Sequence, residues 1–117
     1  MKRFILYFGV DDLIEDILLE AGFDVEKCEY LEDAEGYTED HPEQKVDLFL
    51  SHVTVEDPQD GLKWIRRHIE KKQKGLVISS GLIDGVPQCN VELIIEDPQQ
   101  LVEMIECMLG TQPKLVA

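Results

Sequence analysis

Two adjacent aspartates, Asp11 and Asp12, stand where the apolar run Phe4–Phe8 gives way to a helical pattern. Carboxylates at the carboxyl end of a strand are hard oxygen donors suited to Mg²⁺ or Ca²⁺. Open α/β sheets bind their ligands in the crevice along that edge. Glu56 and Asp57, in the loop after a third strand, would extend the donor set. The same edge offers Ser51 and His52 beyond Val46-Asp47-Leu48-Phe49-Leu50, and Ser79 and Ser80 beyond Leu76-Val77-Ile78. His52 could accept a phosphoryl group, or sense pH from an ordinary pKa near ~6.5. The serine hydroxyls would line the same crevice.

Each of these residues also has an ordinary structural reading. An aspartate ahead of an apolar helix is an N-cap, and Asp12 with Glu15 reads as a capping box worth ~1 kcal/mol. One cap accounts for one aspartate and leaves the other free. Serines ending a strand satisfy backbone groups, and a hydrogen-bonded histidine without chemistry is commoner than a reactive one. No Gly-x-Ser-x-Gly elbow surrounds Ser79 and Ser80. Gly81 and Gly85 make neither a dinucleotide nor a P-loop fingerprint, and Cys89 has no neighbouring base or cation to activate it. With no nucleophile, base and oxyanion donor converging, catalysis is not expected.

The elements that must position these residues alternate between strand and helix. Phe4–Phe8 is a continuous apolar run, as in a strand buried on both faces. A helix opened by Asp11 or Asp12 carries Leu13, Ile14, Ile17, Leu18 and Ala21, and Gly22 supplies its left-handed stop. Phe23–Tyr30 reads as a more polar edge strand. The acidic stretch 31–45 accommodates at most one short helix. Val46–Leu50 is the third strand, Pro58–Lys74 a helix with Leu62, Ile65 and Ile69 inward and Gly75 as its stop, and Leu76–Ile78 the fourth strand. Val91–Ile95 reads as the fifth strand. Asp97 then caps a final helix, with Pro98 at its first position and Gln100 completing a capping box. Leu101, Val102, Ile105, Met108 and Leu109 line that helix, and Gly110 ends it. Residues 1–110 thus form one α/β domain, and 111–117 a flexible tail. Only about ten residues, 81–90, separate strands four and five, so the helix there is short or absent. The pattern predicts a three-layer domain around a five-stranded parallel sheet of order 2-1-3-4-5.

Composition narrows the function classes. A chain of 117 residues builds one real core, and 25 acids against 11 Lys and Arg give a net charge of −14. That surface repels phosphate backbones and anionic lipid, so neither nucleic acid nor membrane is an expected partner. No apolar run approaches the ~20 residues that span a bilayer. Arg66, Arg67, Lys71, Lys72 and Lys74 cluster where they complement a helix C-terminus. Three cysteines, Cys28, Cys89 and Cys107, make neither a disulfide framework nor a zinc motif, which favours a reducing cytoplasm.

With these elements in place, the chain resembles the receiver domain of two-component response regulators, a flavodoxin-like fold. The likeness rests on the element order, on Asp11-Asp12, on Asp60-Gly61-Leu62-Lys63-Trp64-Ile65-Arg66-Arg67, and on Ser79-Ser80. The resemblance implies that Asp11 and Asp12 hold Mg²⁺ and that Ser79 or Ser80 is a switch hydroxyl. The family's phosphoacceptor aspartate falls near Ser51, His52 or Val53, none of them a carboxylate. Its lysine before proline is replaced by Asp97-Pro98. The expectation is a degenerate, pseudo-receiver module for signalling and protein contact, without phosphorylation, enzymatic activity or a required cofactor. Its contact with a partner protein or a second copy would run through strand five, the last helix and loop 81–90, where a missing helix would uncover Leu82, Ile83 and Val86. The alternative is a divalent-cation or phosphoryl switch, or a small phosphate-ligand site, built on Asp11 and Asp12. A flavin carrier ranks last, because Val10-Asp11-Asp12 would repel phosphate.

Overall fold

The structure, a computed structural model, describes residues 2–52 and 58–110. The tail 111–117, the acids Glu56 and Asp57, and most of the loop after the third strand therefore lie outside the described residues. In chain order the elements are β1 (Phe4–Phe8), α1 (Asp12–Glu20), β2 (Asp24–Cys28), α2 (Leu31–Asp40), β3 (Leu48–His52), α3 (Pro58–Glu70), β4 (Gly75–Ser79), β5 (Gln88–Asn90), α4 (Val91–Glu96) and α5 (Gln99–Leu109). The sheet is parallel throughout, in the order β2-β1-β3-β4-β5.

Alternation along the strands divides the core into two layers. Ile5, Tyr7, Leu48, Leu50, Leu76 and Ile78 face one side, where α1, α4 and α5 contribute Ile14, Leu18, Ile94, Leu101 and Ile105. Leu6, Phe49 and Val77 face the other, against Ala34 of α2 and Trp64 and Ile65 of α3. Trp64 meets Phe8 and Phe49 edge-on, and His68 stacks on Phe49 with ring centroids 3.6 Å apart. His68 thus packs at the edge of the tryptophan cluster.

Several boundaries differ from the sequence reading, each for a local reason. β3 begins two residues later because Asp47 does another job. Its carboxylate accepts the Phe4 N–H at 2.8 Å and fixes the start of β1. α3 ends at Glu70 and not at Lys74, with Lys72 in the left-handed region (φ 65°). Gly75 is the first residue of β4, where a Cβ would stand 2.9 Å from Ile65 Cγ2, so it serves close packing and is not a helix stop. Gly22 and Gly110 do take positive φ beyond their helices.

The largest correction concerns strand five. Val91–Glu96 is a helix, α4, capped by Asn90, whose Oδ1 accepts the Glu92 N–H at 2.7 Å. Val91 and Ile94 pack on the core while Glu92, Leu93 and Ile95 are exposed, a spacing of three that suits a helix. The strand that joins β4 is the short, polar Gln88–Asn90, with Cys89 buried. Asp97 belongs to the α4–α5 junction. Its N–H closes α4 on Leu93 O at 2.8 Å, so it is not free for a capping box with Gln100; its Oδ1 accepts the Gln99 N–H at 3.2 Å. No helix lies between β4 and β5, as predicted. The connection folds over the α3 face instead, tied by Arg66 to Asp84 O, by Gln88 to Ile83 N and Gly81 O, and by Ser79 to Gly81 O. Ile83 and Val86 are consequently half-buried on the second layer, and only Leu82 (95% exposed) stands free.

Helix α3 lies close against the sheet at Gly61, where a Cβ would lie 2.3 Å from Ser51 Oγ but 3.5 Å from Ser51 Cβ. Gly61→Ala is therefore expected to destabilise the fold by ~1–3 kcal/mol. In a Ser51→Ala background most of that loss should vanish. A denaturant double-mutant cycle measures the coupling.

Candidate functional site

The carboxyl ends of β1, β3 and β4 bring the candidate residues to one edge of the sheet, but not to one face. Leu48 and Leu50 face the α1 layer, so His52 does too; Ser51 follows Phe49 to the α3 layer. Ser51, His52 and Ser79 are all buried. Ser79 is satisfied by donating to Gly81 O at 2.7 Å, and Ser80 is exposed. The four candidate switch positions therefore do not form a single cluster.

Asp11 is the centre of what does assemble. As N-cap of α1 its Oδ1 accepts the Leu13 N–H at 2.9 Å. Its Oδ2 stands 3.8 Å from His52 Nδ1, and its main-chain oxygen accepts the Tyr7 hydroxyl at 3.3 Å. Burial, reinforced by the Asp11 charge, pushes the Tyr7 phenol far up, so it stays a neutral donor. The cap thus begins one residue before the Asp12–Glu15 box read from the sequence.

Asp12 is turned to the other side of α1's first turn, where it pairs with Lys27 of β2. Lys27 lies opposite Tyr7 in the β1–β2 register and so shares the α1 face. Its side chain is 17% exposed against 78% for Asp12. The hydrogen bond to Asp12 raises the Lys27 pKa over the opposing effect of burial, so it remains an ammonium. The sequence reading missed this residue, although the alternation of Val25 and Lys27 in an edge strand beside α1 was the available signal.

Among the described residues neither ring nitrogen of His52 has a hydrogen-bond partner, nor does Ser51 Oγ. Burial lowers the His52 pKa, and the Asp11 carboxylate only partly opposes this. The imidazole is neutral at pH 7. The described residues do not fit a divalent cation well: one Asp11 oxygen is spent on the helix cap, and Asp12 already holds an ammonium. Among the described residues no group of three or more His, Cys, Asp or Glu is gathered as a metal site. None of the described helices is long and apolar enough to cross a membrane.

No protein-family model and no curated protein matches the chain. Solved structures do. A putative response regulator from Chloroflexus aurantiacus is 21% identical with a TM-score of 0.69, covering 94% of this chain and 99% of its own. A LuxR family DNA-binding response regulator from Silicibacter pomeroyi is 24% identical with a TM-score of 0.62, covering 94% and 93%. A chain from the complex of histidine kinase ThkA with response regulator protein TrrA is 14% identical with a TM-score of 0.59, covering 90% and 98%. The chain has the receiver fold.

The buried, unpartnered imidazole has a measurable consequence. Because the folded pKa lies below the unfolded one, the unfolded chain takes up the proton first. Stability present above pH ~6.5 is then lost as pH falls. His68, whose pKa burial also lowers, adds to the loss. His52→Leu is expected to stabilise the protein at neutral pH by about 1 kcal/mol, since an unsatisfied buried polar group costs ~1–3 kcal/mol. Urea unfolding repeated near pH ~5 should show a shallower decline for the variant than for the wild type.

Proposed function

We propose that this chain is a receiver-like signalling module that works through protein contact and carries no aspartyl phosphotransfer. The observation that supports this most directly is the end of β3. It presents Ser51 and His52, both buried, beside an Asp11 turned toward an imidazole. Phosphotransfer would need an accessible carboxylate there. The residues that follow β5 are Val91 and Glu92, so no lysine stands at that strand end. Asp97-Pro98, which the sequence put in the lysine's place, is the α4–α5 junction. Three unpaired cysteines suit a reducing cytoplasm.

The contact surface in this reading comprises loop 81–90, which contains β5, the residues 91–95 read as strand five and found in α4, and α5. β5 ends the sheet with only β4 beside it. Leu82, Leu93 and Ile95 are 95%, 46% and 63% exposed around that edge. An open strand edge rimmed by apolar side chains is a site for association with a partner protein or a second copy. The ThkA–TrrA complex is a precedent for a two-component protein assembly of related shape.

Two measurements test the two halves. Intact-mass analysis after incubation with acetyl phosphate and Mg²⁺ should find the protein unmodified; a phosphoryl adduct would overturn the first half. Sedimentation over a concentration series tests self-association with the chain alone. Association is expected to weaken at least ~10-fold in a Leu82→Glu, Ile95→Glu variant, the loss of ~1.4 kcal/mol of apolar contact. A variant that associates as the wild type does would exclude this surface.

A further inference from the structure

We infer that the Lys27 ammonium is the resident cation of the crevice, seated on Asp12 where a divalent metal would otherwise bind, so that folding alone neutralises that carboxylate. The inference concerns only the cation side of the crevice and does not depend on the partner surface proposed above.

The placement follows from the sheet. Parallel register sets Lys27 beside Tyr7, with Val25 below it packed into the α1-side core. The lysine stem therefore runs up between the edge of the sheet and α1, and its end emerges at the first turn of the helix. Asp12, the first residue of α1, is there to receive it. The stem is largely covered while the carboxylate is open to water. Burying an aliphatic stem while its head reaches a charge is the usual economy of a lysine at an edge. Exposure alone would make Asp12 look like a free metal ligand, but the ammonium is already bound to its Oδ1.

Among the described residues the crevice offers a dication little else. Asp11 gives Oδ1 to the Leu13 N–H and faces a neutral imidazole with Oδ2. Mg²⁺ demands near-octahedral oxygen ligation and dehydrates reluctantly, so a competing fixed cation weighs heavily. A dication and an ammonium ~4 Å apart repel enough, even at the dielectric of water, to lower affinity about 30-fold. A fixed ammonium also ties β2 to α1 with no cofactor needed.

Amide-shift titration with MgCl₂ tests the assignment on the whole chain. Wild-type protein should show no saturable shifts at residues 10–14 in the millimolar range. Lys27→Met, which keeps the stem and removes the charge, should gain saturable shifts there with at least ~10-fold tighter binding. Adding Asp12→Asn should abolish the gain. Lys27→Arg, which keeps the charge, should stay silent; it guards against reading a loosened edge strand as a gained site. Wild-type binding as tight as that of Lys27→Met would overturn the inference. So would a folded Lys27→Met that gains nothing, or Lys27→Arg binding as tightly as Lys27→Met.

Discussion

All five residues of β3 are buried, and its last two are polar. A central parallel strand covered on both faces has no solvent side on which to put a hydroxyl or an imidazole. Alternation forces one of them into each layer. Ser51 goes to the α3 side, where it meets a helix able to come so close only because residue 61 is glycine. His52 goes to the α1 side, where it meets the aspartate that caps the helix. The arrangement of the whole carboxyl edge follows from that division. It separates the candidate switch residues onto opposite faces and leaves Asp11 facing a base.

The electrostatics of the edge are those of a site that closes on itself. Each carboxylate of the acidic pair faces a nitrogen: Asp11 an imidazole kept neutral by burial, Asp12 an ammonium kept charged by the pairing. Tyr7 adds a neutral hydroxyl to the Asp11 backbone. Among the described residues the side chains of Ser51 and His52 find no hydrogen bond, a cost the fold carries in a central strand. The accessible features lie elsewhere, around the last strand, in a chain whose excess of acids restricts what can approach.

Much of this was legible in the sequence. The apolar runs of β1 and β4, a capping aspartate at 11 or 12, and the glycine stops at Gly22 and Gly110 were clear because each is decided locally. The sheet order followed from the alternation of elements, and the missing helix between β4 and β5 from the length of the connection. The Val91–Ile95 run misled because five apolar-rich residues satisfy a buried strand and one face of a short helix equally well. What decided it was Asn90, a polar cap that only tertiary placement turns into a helix start. Gly75 misled because a glycine after a helix reads as its stop, whereas here the need is for space beside Ile65. Lys27 escaped notice because alternation with Val25 places it only on the α1 face, while its pairing with Asp12 across fifteen residues depends on the register of the edge strand.

A carboxyl edge that is complete as folded, as proposed, does not respond to a phosphoryl group. Beryllofluoride in the presence of Mg²⁺ mimics a phosphorylated carboxylate, and amide NMR reads the outcome at every residue. The account predicts unchanged shifts at Asp11, Asp12, His52 and Ser79 at saturating reagent. Specific, saturable shifts spreading from those residues toward β5 and α5 would contradict it and restore a phosphoryl switch to this edge.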